Sequence, residues 1–315
     1  LLLNRNTSKR SSSRWAQGGI AAVTRIEDSE ESHASDTINA GAGLCDHDAV
    51  KMFVENAPRS VERLLKIGMD FDRDFGKLST TLEAAHSHRR VLHVKDRTGR
   101  ALVDVLNDQV DQRDNVLHQR GIRVSQIWVE QNRCFGVQVL DGPQLRWINA
   151  KAVVLATGGG GHLFANTTNP AQATGEGVAL GWRAGAVVED LEFFQFHPTA
   201  LKLEGAPSFL ISEAVRGEGA VLVDSLGESP VSHLHGKDLA TRDQLSRALF
   251  KSMEEQDLTH LGLDMKAISI ENAEERFPSI FQRCREFGLD PLKELIPVAP
   301  AAHYWMGGVS TNLLA

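Results

Sequence analysis

Cysteine is scarce in this sequence, and its three thiols, Cys45, Cys134 and Cys284, lie far apart with no C-x-x-C pair. An odd and dispersed set of cysteines excludes a disulfide framework and a cysteine-based zinc site, and is typical of a reducing compartment. Long apolar runs are lacking too, since a stretch such as residues 152–156 is far shorter than the roughly 20 residues of a membrane-spanning helix. The sequence predicts a soluble, cytoplasmic protein with no membrane contact, or a plastid protein if the source is a plant.

An excess of positive charge is missing as well. Lys and Arg number 34 against 41 Asp and Glu, and the net charge of -7 leaves no basic footprint for nucleic acid or anionic lipid. What is present is an ordinary globular composition: 315 residues, 42% hydrophobic and 24% charged, enough for one large or two medium domains. Because the chain begins Leu1-Leu2-Leu3 without an initiator Met, we expect it to be part of a longer polypeptide.

Hydrophobic periodicity indicates α/β organisation with an inserted segment. Apolar residues at helical spacing predict helices at residues 46–68, 100–111, 242–255 and 273–287. Alternation predicts an antiparallel ribbon from residues 122–129 and 134–140, and apolar β-rich runs predict buried strands at residues 1–3 and 152–156. The composition changes after Glu192, which indicates a separate α+β domain up to residue 300.

Two loops of small residues are candidates for a cofactor site. Thr157-Gly158-Gly159-Gly160-Gly161 directly follows the apolar run, and Trp15 heads the loop W-A-Q-G-G-I-A-A. Glycines let a backbone approach a phosphate or a planar ring where a Cβ would clash. Neither loop has the G-x-G-x-x-G pattern of a dinucleotide site, and a glycine-rich turn after a strand is often purely structural. Two such loops in one chain favour the cofactor interpretation.

Several motifs together resemble one family. W-A-Q-G-G-I-A-A, the stretch from Val153 to Gly160, N-P-x-x-x-T-G-E-G and E-F-F-Q-F-H-P-T are similar to the L-aspartate oxidases, within the succinate dehydrogenase and fumarate reductase flavoprotein superfamily. E-A-V-R-G-E-G, Arg242-Asp243 and A-A-H-Y-W-M-G-G-V continue the resemblance in the family's order. It therefore covers essentially the whole chain.

This resemblance implies an α/β fold: a Rossmann-like FAD-binding domain with an inserted α+β capping domain. The expected boundaries are residues 1–191 for the FAD-binding domain, incomplete at its N-terminus, 192–300 for the substrate-capping domain, and 301–315 for the return to the FAD-binding domain. The implied reaction is FAD-dependent oxidation of L-aspartate to iminoaspartate, the first step of NAD biosynthesis through quinolinate. Oxygen or fumarate would accept the electrons, and a functional link to quinolinate synthase is an open expectation.

Two positions separate the members of this superfamily. Succinate dehydrogenase flavoproteins carry a His that attaches FAD covalently, and Ser12 stands at that position, so FAD is expected to bind noncovalently. The segment from Glu83 to Arg90 is similar to the E-x-x-H-S-x-x-R segment of aspartate oxidases, where the Glu meets the substrate ammonium. As alternatives, this segment is a solvated charged loop, or its H-x-H is a metal pair. We expect no metal, because carboxylate and Cys ligands are lacking nearby.

Binding of a dicarboxylate can be argued from chemistry as well. Two buried carboxylates require paired donors, which Arg forks and His N–H groups supply. The candidate catalytic residues are Arg242, His197, His303 and Glu213, and the candidate substrate-binding residues are Glu83, Gln195, Thr199, Ser212 and Arg216. A lone His before Pro is more often a loop residue, and Arg242 alone reads as a helix-start Arg that pairs with Asp243. The resemblance makes Arg242 the proton donor and acceptor, with Glu213 supporting it or orienting Arg216.

The cofactor contacts follow from the resemblance alone. They are Arg5, Ser12, Ser13, Arg14, Trp15, Ala16, Gln17, Gly18, Gly19, Thr157, Gly158, Gly159 and Glu176. Glu176 replaces an Asp that is frequent in this motif, a change of one carbon. The superfamily's N-terminal strand with G-x-G-x-x-G is not in the sequence, so FAD affinity of these 315 residues alone is an open question. A fumarate reductase or succinate dehydrogenase flavoprotein is one alternative, and a non-catalytic fragment without flavin is another.

Overall fold

The computed structural model describes residues 1–5, 11–83, 85–268 and 270–314. These fall into two compact units. The first comprises residues 1–14, 106–195 and 302–315, and the second comprises residues 15–105 and 196–301. The proposed domain boundaries at residues 192 and 301 remain a prediction, and residues 15–105 are grouped with the segment that begins at residue 196.

The α-helices are α1 (Ser12–Trp15), α2 (Glu30–Ala40), α3 (His47–Lys66), α4 (Thr98–Asp111), α5 (Glu176–Arg183), α6 (Ala214–Gly217), α7 (Arg242–Glu255), α8 (Ile270–Arg276) and α9 (Pro278–Glu286). The strands are β1 (Leu2–Asn4), β2 (Ile20–Ala21), β3 (Arg73–Asp74), β4 (Lys77–Leu78), β5 (Thr80–Thr81), β6 (Val91–Leu92), β7 (His118–Arg120), β8 (Arg123–Glu130), β9 (Arg133–Asp141), β10 (Gln144–Asn149), β11 (Val188–Glu189), β12 (Phe194–Leu201), β13 (Val221–Val223), β14 (Leu261–Asp264), β15 (Ile296–Trp305) and β16 (Gly308–Val309). Within this described part of the chain, no helix is both long and apolar enough to cross a membrane.

The first unit is built around an antiparallel meander. β9 pairs with both β8 and β10, and β1 pairs in parallel with β7. Alternation in β8 and β9 places Val137 and Val139 on one face, where they pack with Ile122. The predicted ribbon is thus confirmed. The strand predicted at residues 1–3 is present as β1, Leu2–Asn4, but the expectation that it is buried is wrong, because Leu2 is 41% exposed.

The strand predicted at residues 152–156 is wrong in the described structure. These residues lie in no strand, and Val154 is 88% exposed. A strand needs a neighbour for its backbone N–H and C=O groups, and no strand in the described part of the chain pairs with residues 152–156. An apolar run thus indicates that a segment favours burial, but it does not determine which neighbouring strand would bury it.

The second unit has a four-stranded sheet in the order β12-β15-β14-β13, with β14 antiparallel to both β13 and β15. Leu245 and Leu249 of α7 and Ile280 and Phe281 of α9 belong to the same buried cluster as the sheet residue Leu263. The spacing of four residues within α7 puts both leucines on one face of the helix. This cluster anchors the start of α7, where Arg242 lies.

A second buried cluster in this unit connects α3 to the strands β2 and β6. Val61, Met69, Phe71 and Leu92 form its centre. The side chain of Asp46 accepts hydrogen bonds from the N–H groups of residues 48 and 49, so α3 begins where its acidic cap predicted. The predicted helix from residue 273 to 287 is instead two helices, because Pro278 disfavours a helical conformation at the residue before it.

Candidate active site

The glycine-rich loop of the first unit leads to the beginning of α5. Gly158 has φ +72°, and no atom lies within 4 Å of the position that a Cβ would take there. The N–H of Gly175 donates a 3.2 Å hydrogen bond to the carbonyl of Gly159. The loop is therefore open at Gly158, as close approach of a cofactor requires, whereas Gly160 and Gly161 pack closely against Trp305 and Asn169.

Glu176, the first residue of α5, is shared by two cations. Its Oε1 accepts a hydrogen bond of 2.7 Å from Arg123 and lies 3.1 Å from a guanidinium nitrogen of Arg5. Arg5 also donates to the Thr174 hydroxyl at 3.3 Å. Two predicted cofactor residues, Arg5 and Glu176, are thus brought together, and Arg123 joins them without having been predicted.

Another part of the first unit contains α1 and His303. The Ser12 hydroxyl donates to the amide oxygen of Asn169 at 3.3 Å, and the amide nitrogen of Asn169 donates to the His303 carbonyl at 2.6 Å. The His303 ring is held at Nδ1, 2.6 Å from the hydroxyl of Thr168. Of the other predicted residues of this unit, Ser13 and Arg14 lie on α1 and Gln195 lies on β12.

The W-A-Q-G-G loop begins the second unit. Gln17 is buried, its amide nitrogen donates to the Leu210 carbonyl at 2.7 Å, and its Oε1 has no hydrogen-bond partner among the described residues. A Cβ at Gly19 would lie 2.2 Å from the Leu92 carbonyl oxygen, so only glycine lets β2 pair with β6 here. Trp15 is largely exposed, and the carbonyl of Ala16 accepts a hydrogen bond from the N–H of residue 99.

The Arg242 guanidinium forms an ion pair with a buried carboxylate. Its Nε donates to Oε2 of Glu213 at 2.7 Å, and the Glu213 side chain is 5% exposed. Asp243, the simpler partner for Arg242, pairs instead with Arg247 at 2.6 Å. Of the two roles considered for Glu213, support of Arg242 is the one that this hydrogen bond satisfies.

Arg216 is a buried cation with unused donors. Its residue is 2% exposed, and one nitrogen donates to the Asp238 carbonyl. Nε and Nη2 are buried and have no partner in the part of the chain that the structure describes. Burial lowers the pKa of Arg216, and the charge of Glu213 opposes this shift. A bound carboxylate would satisfy both remaining donors in the geometry that guanidinium favours.

His197, Thr199 and Ser212 are buried in the same unit. The Thr199 N–H donates to Nδ1 of His197 at 3.2 Å, so a neutral His197 carries its proton on Nε2. The Thr199 hydroxyl donates to the Ile211 carbonyl at 2.9 Å, and the Ser212 hydroxyl accepts from the N–H of Ala214 at 3.3 Å. The arrangement orients His197 as a donor, which suits an anionic substrate.

Glu83 lines a small cavity with Gln17, Gly18, Ser212 and Arg276. Burial raises the pKa of Glu83, as does the charge of Glu213, whereas Arg242, Arg276 and Arg216 lower it. The carboxylate therefore lies in a field of three guanidinium groups. A ligand that carries both an ammonium and carboxylates complements this mixture of charges.

The rest of the Glu83–Arg90 segment is anchored by its last residue. Arg90 is fully buried and donates to both carboxylate oxygens of Asp28, at 2.8 and 2.7 Å, and to Asp36 at 2.5 Å. Its guanidinium also lies 3.1 Å from Nδ1 of His86. The alternative of a solvated loop is therefore wrong for Arg90, while Ala84 lies outside the described residues. No group of three or more His, Cys, Asp or Glu side chains in the described ranges is placed to hold a metal.

Sequence reasoning missed part of this cavity. His93, Lys95, Asp96 and Arg276 line it as well. A signal was available, because His93, Lys95 and Asp96 follow the apolar pair Val91–Leu92 closely, and polar residues at the end of a buried strand are candidates for a site. Arg276 lies far away in sequence, so no local pattern could connect it to the others.

The comparisons with known proteins agree with this picture. The model of the family described as FAD binding domain matches residues 1–315. The chain is 50% identical to an L-aspartate oxidase of Nostoc sp. over 99% of its own length and 55% of that relative, and 50% identical to the Synechocystis sp. L-aspartate oxidase over 99% and 58%. It thus spans somewhat more than half the length of these relatives.

Two solved structures also match almost the whole chain. E. coli quinol fumarate reductase FrdA matches 99% of this chain and 57% of its own, with a TM-score of 0.91 and 30% identity. Mycobacterium smegmatis Sdh1 in complex with UQ1 matches with a TM-score of 0.80 and 29% identity. The chain belongs to the FAD binding domain family. The predicted α/β fold and the predicted cofactor, FAD, are confirmed.

The described residues fit FAD. In the first unit, Gly158 offers open backbone in a left-handed conformation. In the second unit, taken separately, the Oε1 of Gln17 is a buried acceptor without a hydrogen-bond partner among the described residues. When bound, FAD accepts a hydride from carbon. The individual cofactor contacts, from Arg5 to Glu176, stay predictions.

Proposed function

We propose that the protein is an L-aspartate oxidase, which oxidises L-aspartate to iminoaspartate and passes the electrons to oxygen or fumarate. This reaction would be the first step of NAD biosynthesis through quinolinate, in the cytoplasm. The observation that carries the proposal is Glu83, a carboxylate in a small cavity under the influence of Arg216, Arg242 and Arg276. The two aspartate oxidase relatives, each 50% identical, support it.

The side chains of the second unit can bind the three charged groups of aspartate. Arg216, with two donors that have no partner among the described residues, and His197, with its proton on Nε2 when neutral, are suited to carboxylates. Glu83 is suited to the ammonium, and a charge-assisted hydrogen bond of this kind contributes about 1.5–3 kcal/mol. Ser212 and Thr199 would complete the binding groups. His303 and Gln195 are proposed from the family resemblance to act as further substrate contacts.

Arg242 is proposed to move the proton on carbon that fumarate reduction requires. An arginine has a pKa above about 12 in water, so its ordinary role is that of a permanent cation. The Glu213 carboxylate, 2.7 Å away, would stabilise the charged form and orient the guanidinium between proton transfers. In aspartate oxidation, the same cation would stabilise the negative charge of a substrate carboxylate.

FAD is proposed to bind noncovalently. The position of the flavin-linked His in succinate dehydrogenases is occupied by Ser12, whose hydroxyl donates to Asn169. A functional link to quinolinate synthase remains a further proposal from the nature of the product.

The experiment is an assay of the purified protein after incubation with FAD. We expect a yellow protein that consumes L-aspartate, releases iminoaspartate and reduces oxygen or fumarate. Fumarate reductase activity without aspartate oxidation would favour a fumarate reductase flavoprotein as the second candidate function. The TM-score of 0.91 with E. coli quinol fumarate reductase FrdA supports that candidate. A colourless protein that is inactive with both substrates would support the non-catalytic alternative.

A further inference from the structure

His93 is a buried histidine in the cavity that contains Glu83. His93 is 5% exposed and directly follows β6. Nδ1 lies 2.9 Å from Oδ2 of Asp72, and the same oxygen accepts a 2.7 Å hydrogen bond from the N–H of Lys95. The N–H of Asp72 in turn donates to the His93 carbonyl at 2.9 Å. Asp72 therefore holds His93 both at its ring and at its backbone carbonyl.

The carboxylate of Asp72 favours one tautomer of the ring. Arg276 also approaches Nδ1, at 3.2 Å, but it donates a shorter bond of 2.9 Å to the carbonyl of Lys95. A carboxylate oxygen at 2.9 Å favours a proton on Nδ1, because a bare ring nitrogen would face it with a lone pair. Nε2 then carries the lone pair. It is buried, and no described residue is its hydrogen-bond partner.

The reaction proposed above needs a group of this kind. Aspartate reaches an active site with a protonated amine, and the nitrogen must lose a proton before its electron pair can form a C=N bond. Arg242 is assigned above to the proton on carbon in fumarate reduction, and Glu83 is the counter-ion of the ammonium. A neutral imidazole can accept this proton, since an effective base has a pKa close to the working pH.

We propose that Nε2 of His93 removes the proton from the substrate ammonium, with Asp72 as the residue that orients the ring. The inference rests on the proposed function. One N–H bond of the ammonium breaks and its electron pair stays on nitrogen, while the proton forms a bond to Nε2. The freed pair would then be available for the C=N bond when the Cα hydrogen leaves as a hydride, for which FAD, when bound, would be the acceptor. The resulting imidazolium is stabilised by Asp72 and gives its proton to water that enters the cavity after the product has left. Fumarate has no ammonium, so its reduction does not use His93.

The charges around the ring are consistent with a neutral base. Burial lowers the pKa of His93, and Arg276 on α8 lowers it further, whereas Asp72 and Asp74 raise it. Glu83, Lys95 and Asp96 are the other charged groups that line the cavity. Because the pKa of His93 lies below its ordinary value, Nε2 is unprotonated at neutral pH, and kcat for aspartate oxidation should decline as the pH falls through that lowered value.

The test is His93→Asn in the FAD-loaded protein, assayed with L-aspartate and, separately, with fumarate and a reduced dye. We expect kcat for aspartate to fall at least about a hundredfold, the low end for a positioned base. KM should change little, fumarate reduction should persist, and aspartate turnover should recover as alkaline pH removes the proton without a base. His260→Asn, an exposed histidine in the same unit, is the matched control.

A second variant separates orientation from packing. Asp72→Asn keeps an oxygen for both hydrogen bonds but removes the charge, so the kinetic pKa of aspartate oxidation should move to lower pH. Its fumarate reduction reports whether the fold is intact, and His93→Gln serves if His93→Asn does not fold.

Three results distinguish the outcomes. Normal kcat and an unchanged pH profile in folded His93→Asn would overturn the inference and make Glu83 the base. A raised KM with normal kcat would make His93 a binding group, which also overturns it. If the unmodified protein binds FAD but does not oxidise aspartate, the proposed function itself fails. The activity of the unmodified protein is therefore measured before that of any variant.

Discussion

Nε of Arg242 donates a 2.7 Å hydrogen bond to Oε2 of Glu213, a carboxylate that is almost fully buried. The buried charge of Glu213 is tolerated because Arg242 pairs with it, and removal of either residue would leave the other as an unpaired charge. The pair therefore connects the first residue of α7 to the residue that precedes α6.

Arg242→Leu should lower turnover with fumarate by at least about a hundredfold, as expected for loss of an acid/base group. Turnover with aspartate should also fall, because the cation that stabilises a substrate carboxylate is lost. Leu keeps the apolar stem of Arg and removes the guanidinium. FAD absorbance should be unchanged, because the residues assigned to FAD lie elsewhere in the sequence. Arg247→Leu, an exposed residue on the same helix, is the control. Near-normal kcat with a raised KM would make Arg242 a carboxylate clamp instead.

Glu83→Gln should weaken aspartate oxidation by about tenfold to a hundredfold, the equivalent of one charge-assisted hydrogen bond. Fumarate reduction should be spared because fumarate has no ammonium. The pKa of Glu83 is raised, so the unmodified protein should lose aspartate binding as the pH falls through a value above that of an ordinary Glu. Steady-state kinetics with both substrates measure this, with Glu204→Gln as the control; equal losses would show that Glu83 is structural.

His197→Ala should raise KM for aspartate and for fumarate, with a smaller effect on kcat. A donor that binds a carboxylate equally in the ground and transition states contributes to binding and not to the chemical step. His197→Gln retains a donor and should recover part of the affinity. If kcat falls and KM stays constant, His197 takes part in proton transfer.

Acid precipitation of the FAD-loaded protein should leave all flavin in the supernatant. Ser12 has no ring nitrogen for the covalent bond that a His forms at this position in related flavoproteins. The absorbance of pellet and supernatant near the flavin maximum is the measurement. Colour retained in the washed pellet would require another attachment residue.

Arg90→Met should destabilise the fold by about 3–5 kcal/mol, the cost of leaving buried charges unpaired. Burial alone would raise the pKa of Asp28 and of Asp36, but hydrogen bonds, including those from Arg90, outweigh it and lower both. A carboxyl with a lowered pKa stabilises the fold above its unfolded value of about 3.9, and this stability is lost as the pH falls through the folded value. Urea denaturation at pH 7 and near pH 3 should show a large drop for the unmodified protein and a smaller one for Arg90→Met. If the unmodified protein and Arg90→Met lose the same amount of stability between pH 7 and pH 3, the ion pairs of Arg90 with Asp28 and Asp36 are not the cause.

Local signals in the sequence were sufficient for much of the secondary structure. α7 begins and ends where its periodicity predicted, and α3 begins after the Asp46 cap. The break at Pro278 was also encoded locally, since proline restricts the residue before it, but the continuous helical periodicity hid it. These features depend on neighbours within a few residues.

The sequence by itself determined the family, the cofactor and most candidate residues, because each motif combines a local backbone conformation with a chemical group. Only the tertiary structure decided which groups meet: Arg90 with Asp28, Arg242 with Glu213 rather than Asp243, and His93 with Asp72. Each of these pairs joins residues at least 21 positions apart, so its geometry depends on how helices and strands pack. The physical reason is that hydrogen bonds need positions within a few tenths of an ångström, and such positions are set by the buried core and not by any short pattern of residues.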